Sequence, residues 1–250
     1  MELFQDIIHT NRPIIKKALL SLKKNWSIIF TGFFYSIATV LLMSVIRFFG
    51  LLAGIVMIVA TSALISNYLY LLDCIMRKGK FTKHDFKEGF SVYLRKIWGI
   101  LFVGYIANMV LSLFMPAFYR SGIIHPNAVS MIITFLTVLL FNAVPESAYQ
   151  KHYNPWETIT YGVEFIKDNW IEWFVPNVVL LGVFYLLTGQ FLTGVFNYQI
   201  SLVTIFTSPY GLLGYVVGQV WFSYMMIYRG FLFGLLSSST RRKRLFMRDF

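Results

Sequence analysis

The sequence predicts an all-α polytopic membrane protein with six transmembrane helices, built as three tandem two-helix repeats, each preceded by an interfacial amphipathic helix. Three observations lead to this prediction: six apolar blocks of about twenty residues, basic residues confined to alternate links between the blocks, and a tryptophan that recurs at a fixed spacing. Charged residues make up only 13% of the chain. A soluble domain carries roughly a quarter, so we expect this chain to fold in lipid.

The apolar blocks give spans at about 26–46, 48–72, 98–118, 128–148, 171–193 and 209–232. The links near Arg47 and Arg120 are short, which suits tight turns between antiparallel helices. The link between the last two spans, residues 196–208, contains Asn197 and Gln199 and is too polar to be plain apolar core. We therefore expect all three of these links on one side of the membrane.

The distribution of basic residues predicts the orientation of the spans. Of the 22 Lys and Arg residues, 20 fall on one side of the predicted membrane, and only Arg47 and Arg120 fall on the other. Because Lys and Arg are enriched in cytoplasmic loops, both termini are predicted to be cytoplasmic, in a multi-pass protein of the cell membrane. The net charge of +11 lies beside apolar blocks. This arrangement favours anionic lipid headgroups over nucleic acid as the partner.

Trp26, Trp98 and Trp170 are separated by 72 residues, twice, and each lies at the start of a span. Tryptophan favours the membrane–water interface, so the three are predicted to be interfacial anchors. A single tryptophan there is commonplace, whereas three with equal spacing and similar flanking sequence indicate triplication. The predicted repeats are about 14–80, 81–153 and 154–236, followed by a basic cytoplasmic tail, 237–250.

The stretch before each of these tryptophans has apolar residues at helical spacing and lysines on the other face. The third stretch begins with Asn154-Pro155-Trp156-Glu157, in which Asn is a good helix cap, Pro fits the first turn, and Glu can reach back to the cap. Helices of this kind lie in the headgroup plane. Each repeat is thus predicted to be an interfacial helix, a span, a turn and a returning span.

Two segments resemble a known group of proteins. Residues 18–26 (ALLSLKKNW) and 228–236 (YRGFLFGLL) are similar to the N-terminus and the last helix of bacterial six-helix membrane proteins. That group includes the membrane domain attached to some glycerophosphoryl diester phosphodiesterases and similar uncharacterised families. The resemblance implies a bacterial cytoplasmic membrane and a six-helix domain. It implies no catalytic residues, because the phosphodiesterase chemistry of the fused members belongs to a separate soluble barrel.

Four residues form a candidate polar cluster. Asp73, Glu146 and Gln219 are separated by 73 residues, twice, and are predicted to occupy similar places on the three returning helices. Carboxylates within membrane segments are costly and tend to mark function, so the three are candidate ligands for an ion or a headgroup. The alternative is that Asp73 and Glu146 lie at wet helix ends. Arg229, the fourth member, is expected to snorkel, to pair with Asp73 or Glu146, or to bind a phosphate.

Other polar residues are candidate sites. The embedded amides either line a path or hydrogen-bond between helices; they are Asn67, Asn108, Asn142 and Asn177. The basic cluster of the tail is predicted to contact anionic headgroups, with partner docking as the alternative; it comprises Arg241, Arg242, Lys243 and Arg244. The four histidines are scattered and the chain has one cysteine, so we predict no metal, no cofactor and no catalytic residue.

These patterns favour a non-enzymatic membrane module that binds lipid, a partner membrane protein, or both. A transporter or channel with a path between the three repeats is the main alternative. A membrane enzyme acting on lipid headgroups has the least support, because no known catalytic motif is present.

Overall fold

A computed structural model describes residues 2–121, 126–208 and 210–239 of the chain, and this part forms helices and no strand. The N-terminal helices are α1 (Glu2–Lys24), α2 (Ile28–Val45), α3 (Ala53–Lys78) and α4 (Lys83–Val92), with a 3₁₀ segment, Ile46–Leu52, between α2 and α3. The later helices are α5 (Leu94–Ser121), α6 (Pro126–Leu140), α7 (Val144–Gln150), α8 (Pro155–Thr188), α9 (Thr204–Thr207) and α10 (Gly211–Ser238).

Six helical stretches are long and apolar enough to cross a membrane, which confirms the predicted number of spans and the all-α class. They are Ile28–Gly50, Ala53–Lys78, Leu94–Pro116, Ala128–Gln150, Pro155–Thr188 and Gly211–Ser238. Five of them have bounds within several residues of the predicted ones, whereas the fifth span begins at Pro155 instead of at residue 171, because it is continuous with the helix that precedes Trp170. The part of the chain that is described is therefore compatible with a multi-pass membrane protein.

Large apolar side chains cover the outside of the bundle. On α5, for example, Leu113 is 70% exposed, and on α6 Met131 is 75% exposed. A soluble monomer rarely exposes a continuous apolar surface of this extent. Such a surface is stable where lipid chains replace water around it.

Helix α10 is the centre of the bundle, with α1, α2, α3, α7 and α8 packed around it. Phe222 and Phe233 on α10 are fully buried, as are Tyr68 on α3 and Trp173 on α8. The rings of Tyr68 and Phe222 stack with their centroids 5.9 Å apart, and the ring centroids of Phe165 and Phe233 are 4.5 Å apart. The core is therefore largely aromatic.

The helix predicted before Trp170 and the fifth span are two helical parts that are joined at a kink. Both belong to α8, which begins with Asn154 as a cap that accepts a hydrogen bond from the Glu157 N–H. Asn169 departs from helical geometry, with φ −126° and ψ 20°, so the two parts of α8 meet at a kink. By contrast, α1 and α4 are helices of their own.

The fifth span ends earlier than predicted, at Thr188 instead of at residue 193. Gly189 adopts the left-handed conformation, with φ 70°, and this ends the helix because a residue without Cβ takes that conformation at little cost. The chain then runs without helix through residues 189–203. We call this stretch the 189–203 segment.

Candidate functional site

Arg229 and Glu146 form a buried ion pair. Arg229 Nε donates to Glu146 Oε1 at 2.7 Å, and Arg229 Nη2 donates to Oε2 at 3.0 Å. The two side chains are only 8% and 1% exposed. A bidentate pair of this geometry offsets much of the cost of desolvating both charges, whereas either charge alone would be strongly destabilising here.

A break between α6 and α7 brings the backbone to this pair. Pro145 has no N–H to donate to the carbonyl four residues earlier, and the helix is interrupted at residues 141–143. The carbonyl of Asn142, which lies at this break, accepts a hydrogen bond from Arg229 Nη2 at 2.7 Å. The guanidinium also lies 5.1 Å from the Trp173 ring centroid, and Trp173 Nε1 donates to Asn142 Oδ1 at 2.9 Å. Arg229 thus connects α10 to α7, to the end of α6 and to α8.

Asp73 belongs to a second, neighbouring cluster. Its carboxylate accepts hydrogen bonds from Arg77 Nε at 2.7 Å and from the Tyr93 hydroxyl at 3.1 Å. Arg77 and Tyr93 also donate to the carbonyl of Tyr149, at 3.3 Å each. Burial raises the pKa of Tyr93 well above its ordinary value, and the Asp73 carboxylate adds to this effect. Tyr93 therefore stays a hydrogen-bond donor at any physiological pH.

Gln219, the remaining member of the candidate cluster, lies apart from the other three. It is ten residues before Arg229 on the same helix, or about 15 Å along the axis. The side chain is fully buried against Gly32 of α2. Neither its Oε1 nor its Nε2 has a hydrogen-bond partner among the described residues. The equal spacing of 73 residues therefore does not bring the three returning helices to one polar ring.

The 189–203 segment reaches the Arg229 site from the opposite end of the bundle. Gly194, Val195 and Asn197 line a cavity of about 30 Å³ together with Met226 and Arg229. Further along, Gln199 Nε2 donates to Thr39 Oγ1 at 3.0 Å, and the carbonyl of Ile200 accepts from Ser36 Oγ at 2.7 Å. The segment therefore packs against α2 at Gln199 and Ile200, whereas Phe191, Thr193 and Gly194 nearer its start are exposed.

A groove lies between the start of α2 and the start of α4, with a volume of about 680 Å³. We call it the α2–α4 groove. Its apolar wall is formed by phenyl rings, and its polar rim by two lysines and three hydroxyl groups. The rings are Phe30, Phe34, Phe81 and Phe86, and the rim residues are Lys83, Lys87, Ser27, Thr31 and Thr82.

Asp85 stabilises the start of α4, but it is not a counter-ion for Lys83 or Lys87 of the groove. Thr82 and Asp85 form a reciprocal capping box, and Asp85 Oδ1 accepts from Lys78 Nζ at 2.8 Å. The hydrogen bond from Lys78, with those from Thr82, lowers the pKa of Asp85 below its ordinary value. Because its oxygens are occupied in this way, the rim of the groove keeps a net positive charge at Lys83 and Lys87.

The other predicted residues lie in varied surroundings. Trp26, Trp98 and Trp170 are 62%, 39% and 60% exposed on the surface of the bundle. The basic cluster of the tail, Arg241, Arg242, Lys243 and Arg244, lies outside the described residues. Within the described part of the chain, no group of three or more His, Cys, Asp or Glu side chains is placed to hold a metal ion.

The embedded amides divide into two kinds. Asn67 accepts from Tyr35 and donates to the carbonyl of Phe86, Asn142 accepts from Trp173, and Asn177 donates to the carbonyl of Trp173. Asn108, in contrast, is exposed on α5. Asn67 and Asn142 therefore connect separate parts of the chain, whereas Asn177 donates to its own helix one turn earlier.

Several site residues were not anticipated from the sequence. Lys83 and Lys87 were counted only as part of a basic segment, although their i, i+4 spacing on a capped helix is a signal that they share one side. The depth of the 189–203 segment was also missed. Its signal was the combination of two helix-breaking glycines, Gly189 and Gly194, with polar Asn197 in an otherwise apolar stretch.

Comparisons with known proteins find no match to this chain: no family model, no curated protein and no solved structure is significantly similar.

Proposed function

We propose that this protein is a non-enzymatic membrane module that binds anionic phospholipid, and that the α2–α4 groove is its lipid site. The groove combines two lysines and three hydroxyl groups with a wall of phenyl rings. This division matches the two halves of a phospholipid, a charged phosphate and an apolar chain. The groove is the observation that supports the lipid half of the sequence prediction; binding of a partner membrane protein rests on the sequence alone.

Charge and shape favour an anionic lipid over a zwitterionic one. Lys83 and Lys87 are one helical turn apart and both are exposed, while Asp85 between them is buried and bonded to Lys78 and Thr82. The rim thus offers two cations to a headgroup. Phe30 and Phe34 are 57% and 45% exposed below them, so the acyl chain has a ready apolar surface.

The groove also fits the wider proposal for the chain. In that wider proposal, the chain consists of three repeats, about 14–80, 81–153 and 154–236. Each repeat places an interfacial helix at the cytoplasmic face of the cell membrane, and both termini lie on that side. The groove lies beside α4, the predicted interfacial helix of the second repeat, where anionic headgroups are concentrated. Trp26, Trp98 and Trp170 are proposed as anchors at the same interface, and the tail Arg241, Arg242, Lys243 and Arg244 as further headgroup contacts.

The test is a lipid titration of the purified, delipidated protein in mild detergent, followed by native mass spectrometry. We expect phosphatidylglycerol to bind more tightly than phosphatidylcholine, and Lys83→Ala/Lys87→Ala to weaken phosphatidylglycerol binding about 30-fold. That figure corresponds to about 1 kcal/mol for each lysine near an anionic headgroup.

The matched control removes two basic residues elsewhere. Lys16 and Lys167 are exposed on α1 and α8, and neither lines the groove. Lys16→Ala/Lys167→Ala should leave binding within about twofold of the unsubstituted protein. If the two double variants weaken binding equally, the affinity comes from the net charge of the chain and the groove is not the site.

Transport is a second candidate function, favoured by one observation. The 189–203 segment brings non-helical backbone to a buried arginine inside a bundle of membrane-spanning length. Broken backbone of this kind is tolerated in membranes where protein covers it or where it lines a water-filled cavity, and it forms the substrate sites of many transporters.

A further inference from the structure

The tip of the 189–203 segment lies beside the middle of α10. At the level of its two ends, Gly218 of α10 is next to Thr188 and Ile200. At its tip, Gly194 and Asn197 share a cavity with Met226 of α10. Met226 follows Gly211, the first residue of α10, by fifteen residues, or about 22 Å along the helix axis. The hydrocarbon core of a bilayer is about 30 Å thick. The segment therefore advances by about eight residues of α10, or about 12 Å, from the level of its ends to its tip and then returns, so we describe it as re-entrant.

The backbone of this segment is rich in unpaired donors. Among the described residues, none of the N–H groups from Phe191 to Leu202 donates a hydrogen bond to another protein group. An unpaired N–H at membrane depth costs several kcal/mol unless water or a ligand accepts from it. These N–H groups are therefore available to water or to a bound ligand.

Arg229 also has donors to spare. Its Nε–H and the two hydrogens of Nη2 are directed to Glu146 and to the carbonyl of Asn142. A guanidinium has five N–H donors, so the two on Nη1 remain. They have no acceptor among the described residues, although the Arg229 side chain is only 8% exposed. Arg229 and the tip of the segment line the same cavity.

The size and the lining of the cavity suit a small ligand that accepts hydrogen bonds. Arg229 is its one charged lining residue within the described chain, and no carboxylate lines it. Its volume of about 30 Å³ admits one or two water molecules, since a water needs roughly 10–15 Å³ by this measure. A monatomic anion is of similar size. Polyatomic solutes such as sugars or amino acids are too large.

We propose that this cavity is a binding site for a monatomic anion of the halide class, held by the Nη1 donors of Arg229 and by backbone N–H groups of the re-entrant segment. The anion reaches the site along the segment from the membrane face where α8 ends and α10 begins. A halide accepts hydrogen bonds and donates none, which matches the free Nη1 donors of Arg229. This proposal is independent of the α2–α4 groove, which lies on other helices.

The first measurement tests whether water reaches the tip. The single cysteine, Cys74, is buried and is replaced by serine. In that background, Asn197→Cys is exposed to a membrane-impermeant, water-soluble thiol reagent in proteoliposomes. Val179→Cys is the control, because Val179 is 63% exposed on the outer surface of α8. We expect the cysteine at position 197 to react at least tenfold faster than that at 179. Equal, slow reaction at both positions would overturn the proposed access.

The second measurement tests the anion, with iodide as the probe in nanodiscs. Trp173 is fully buried and lies against Arg229 and Asn142, so iodide can quench its fluorescence only from within the bundle. We expect a saturable quenching component that disappears in Trp173→Phe. A linear iodide dependence that is the same in Trp173→Phe would show that only water occupies the cavity and would overturn the proposal.

Two further variants separate the site from the fold. Val195→Phe places a ring in the cavity and leaves Arg229 and Glu146 unsubstituted, and we expect it to weaken iodide binding at least tenfold. Glu146→Leu/Arg229→Met removes the guanidinium together with its counter-ion, so no unpaired charge is left buried. We expect it to abolish the saturable component while near-ultraviolet circular dichroism stays unchanged. Retained iodide saturation in both variants would refute the site.

Discussion

Helices α10 and α5 are both long enough to span a membrane, but α10 is the less apolar and the more buried of the two. The most apolar stretch of α10 has a mean hydropathy of 1.2 and is 61% buried, whereas that of α5 has a mean hydropathy of 2.0 and is 11% buried. In a soluble protein the buried helix would be the more apolar one. Here the relation is reversed, because lipid is as apolar as leucine, and polar side chains are stable only where protein surrounds them.

The comparison also explains where the polar contacts lie. α10 carries Arg229 and Gln219, whereas the exposed face of α5 carries Leu113 and Phe114, at 70% and 57% exposure. Substitutions on α10 should therefore change the free energy of unfolding much more than comparable substitutions on α5. Four experiments test this difference, from the largest expected effect to the smallest.

Breaking the Arg229–Glu146 pair should have the largest effect. Arg229→Met leaves Glu146, which is 1% exposed, without its counter-ion, and we expect a loss of roughly 3–5 kcal/mol in the free energy of unfolding. Glu146→Leu/Arg229→Met should recover most of that loss. Reversible unfolding in mixed detergent micelles measures both. A double variant as unstable as the single one would mean that the pair contributes through its hydrogen bonds to Asn142, not through charge compensation.

Shortening a leucine should distinguish the two helices directly. Leu232 on α10 is fully buried, and Leu232→Ala should cost roughly 2–5 kcal/mol because it leaves a cavity. Leu113→Ala on α5 should change the free energy of unfolding by no more than about 0.5 kcal/mol. The same unfolding measurement applies to both. Similar losses at the two positions would place α5 against protein instead of lipid.

Adding one methyl group to a glycine tests how closely the helices pack. A Cβ on Gly230 of α10 would lie 2.5 Å from the Tyr149 hydroxyl and 2.7 Å from Met76 Cε, so Gly230→Ala should cost about 1–3 kcal/mol. A Cβ on Gly104 of α5 would have no neighbour within 4 Å. Gly104→Ala should therefore be neutral or stabilising by up to about 1 kcal/mol. Thermal unfolding in detergent compares the pair, and destabilisation by both would contradict the open surroundings of Gly104.

The cap of α4 should give the smallest effect, and one that depends on pH. Because the folded-state pKa of Asp85 is lowered, its carboxylate stabilises the fold fully above its unfolded pKa of about 3.9, and this contribution is lost as the pH falls through the lowered folded value. Asp85→Asn should cost about 1 kcal/mol at pH 7, as expected for a lost capping interaction. The difference from the unsubstituted protein should shrink below about pH 4. A difference that is constant with pH would contradict the ionic role of Asp85.

The sequence by itself determined the number of spans and their approximate bounds. This was possible because each span is a local, continuous apolar block whose length must match the bilayer. Local capping signals were equally clear: Asn154 and Glu157 form the capping box that their spacing predicts. These features depend on residues within a few positions of one another, so no knowledge of the rest of the chain was needed.

Only the tertiary structure decided which polar residues meet. Arg229 pairs with Glu146 and not with Asp73, and Gln219 lies about 15 Å from the pair along α10 despite the equal spacing of 73 residues. The path of the 189–203 segment could not be predicted either, because an apolar, glycine-containing stretch fits an outer loop and a re-entrant segment equally well. The path of the segment is decided by the space that α6, α8 and α10 leave between them, and by the Arg229 donors that line this space. Both depend on how distant helices pack, which a linear pattern does not encode.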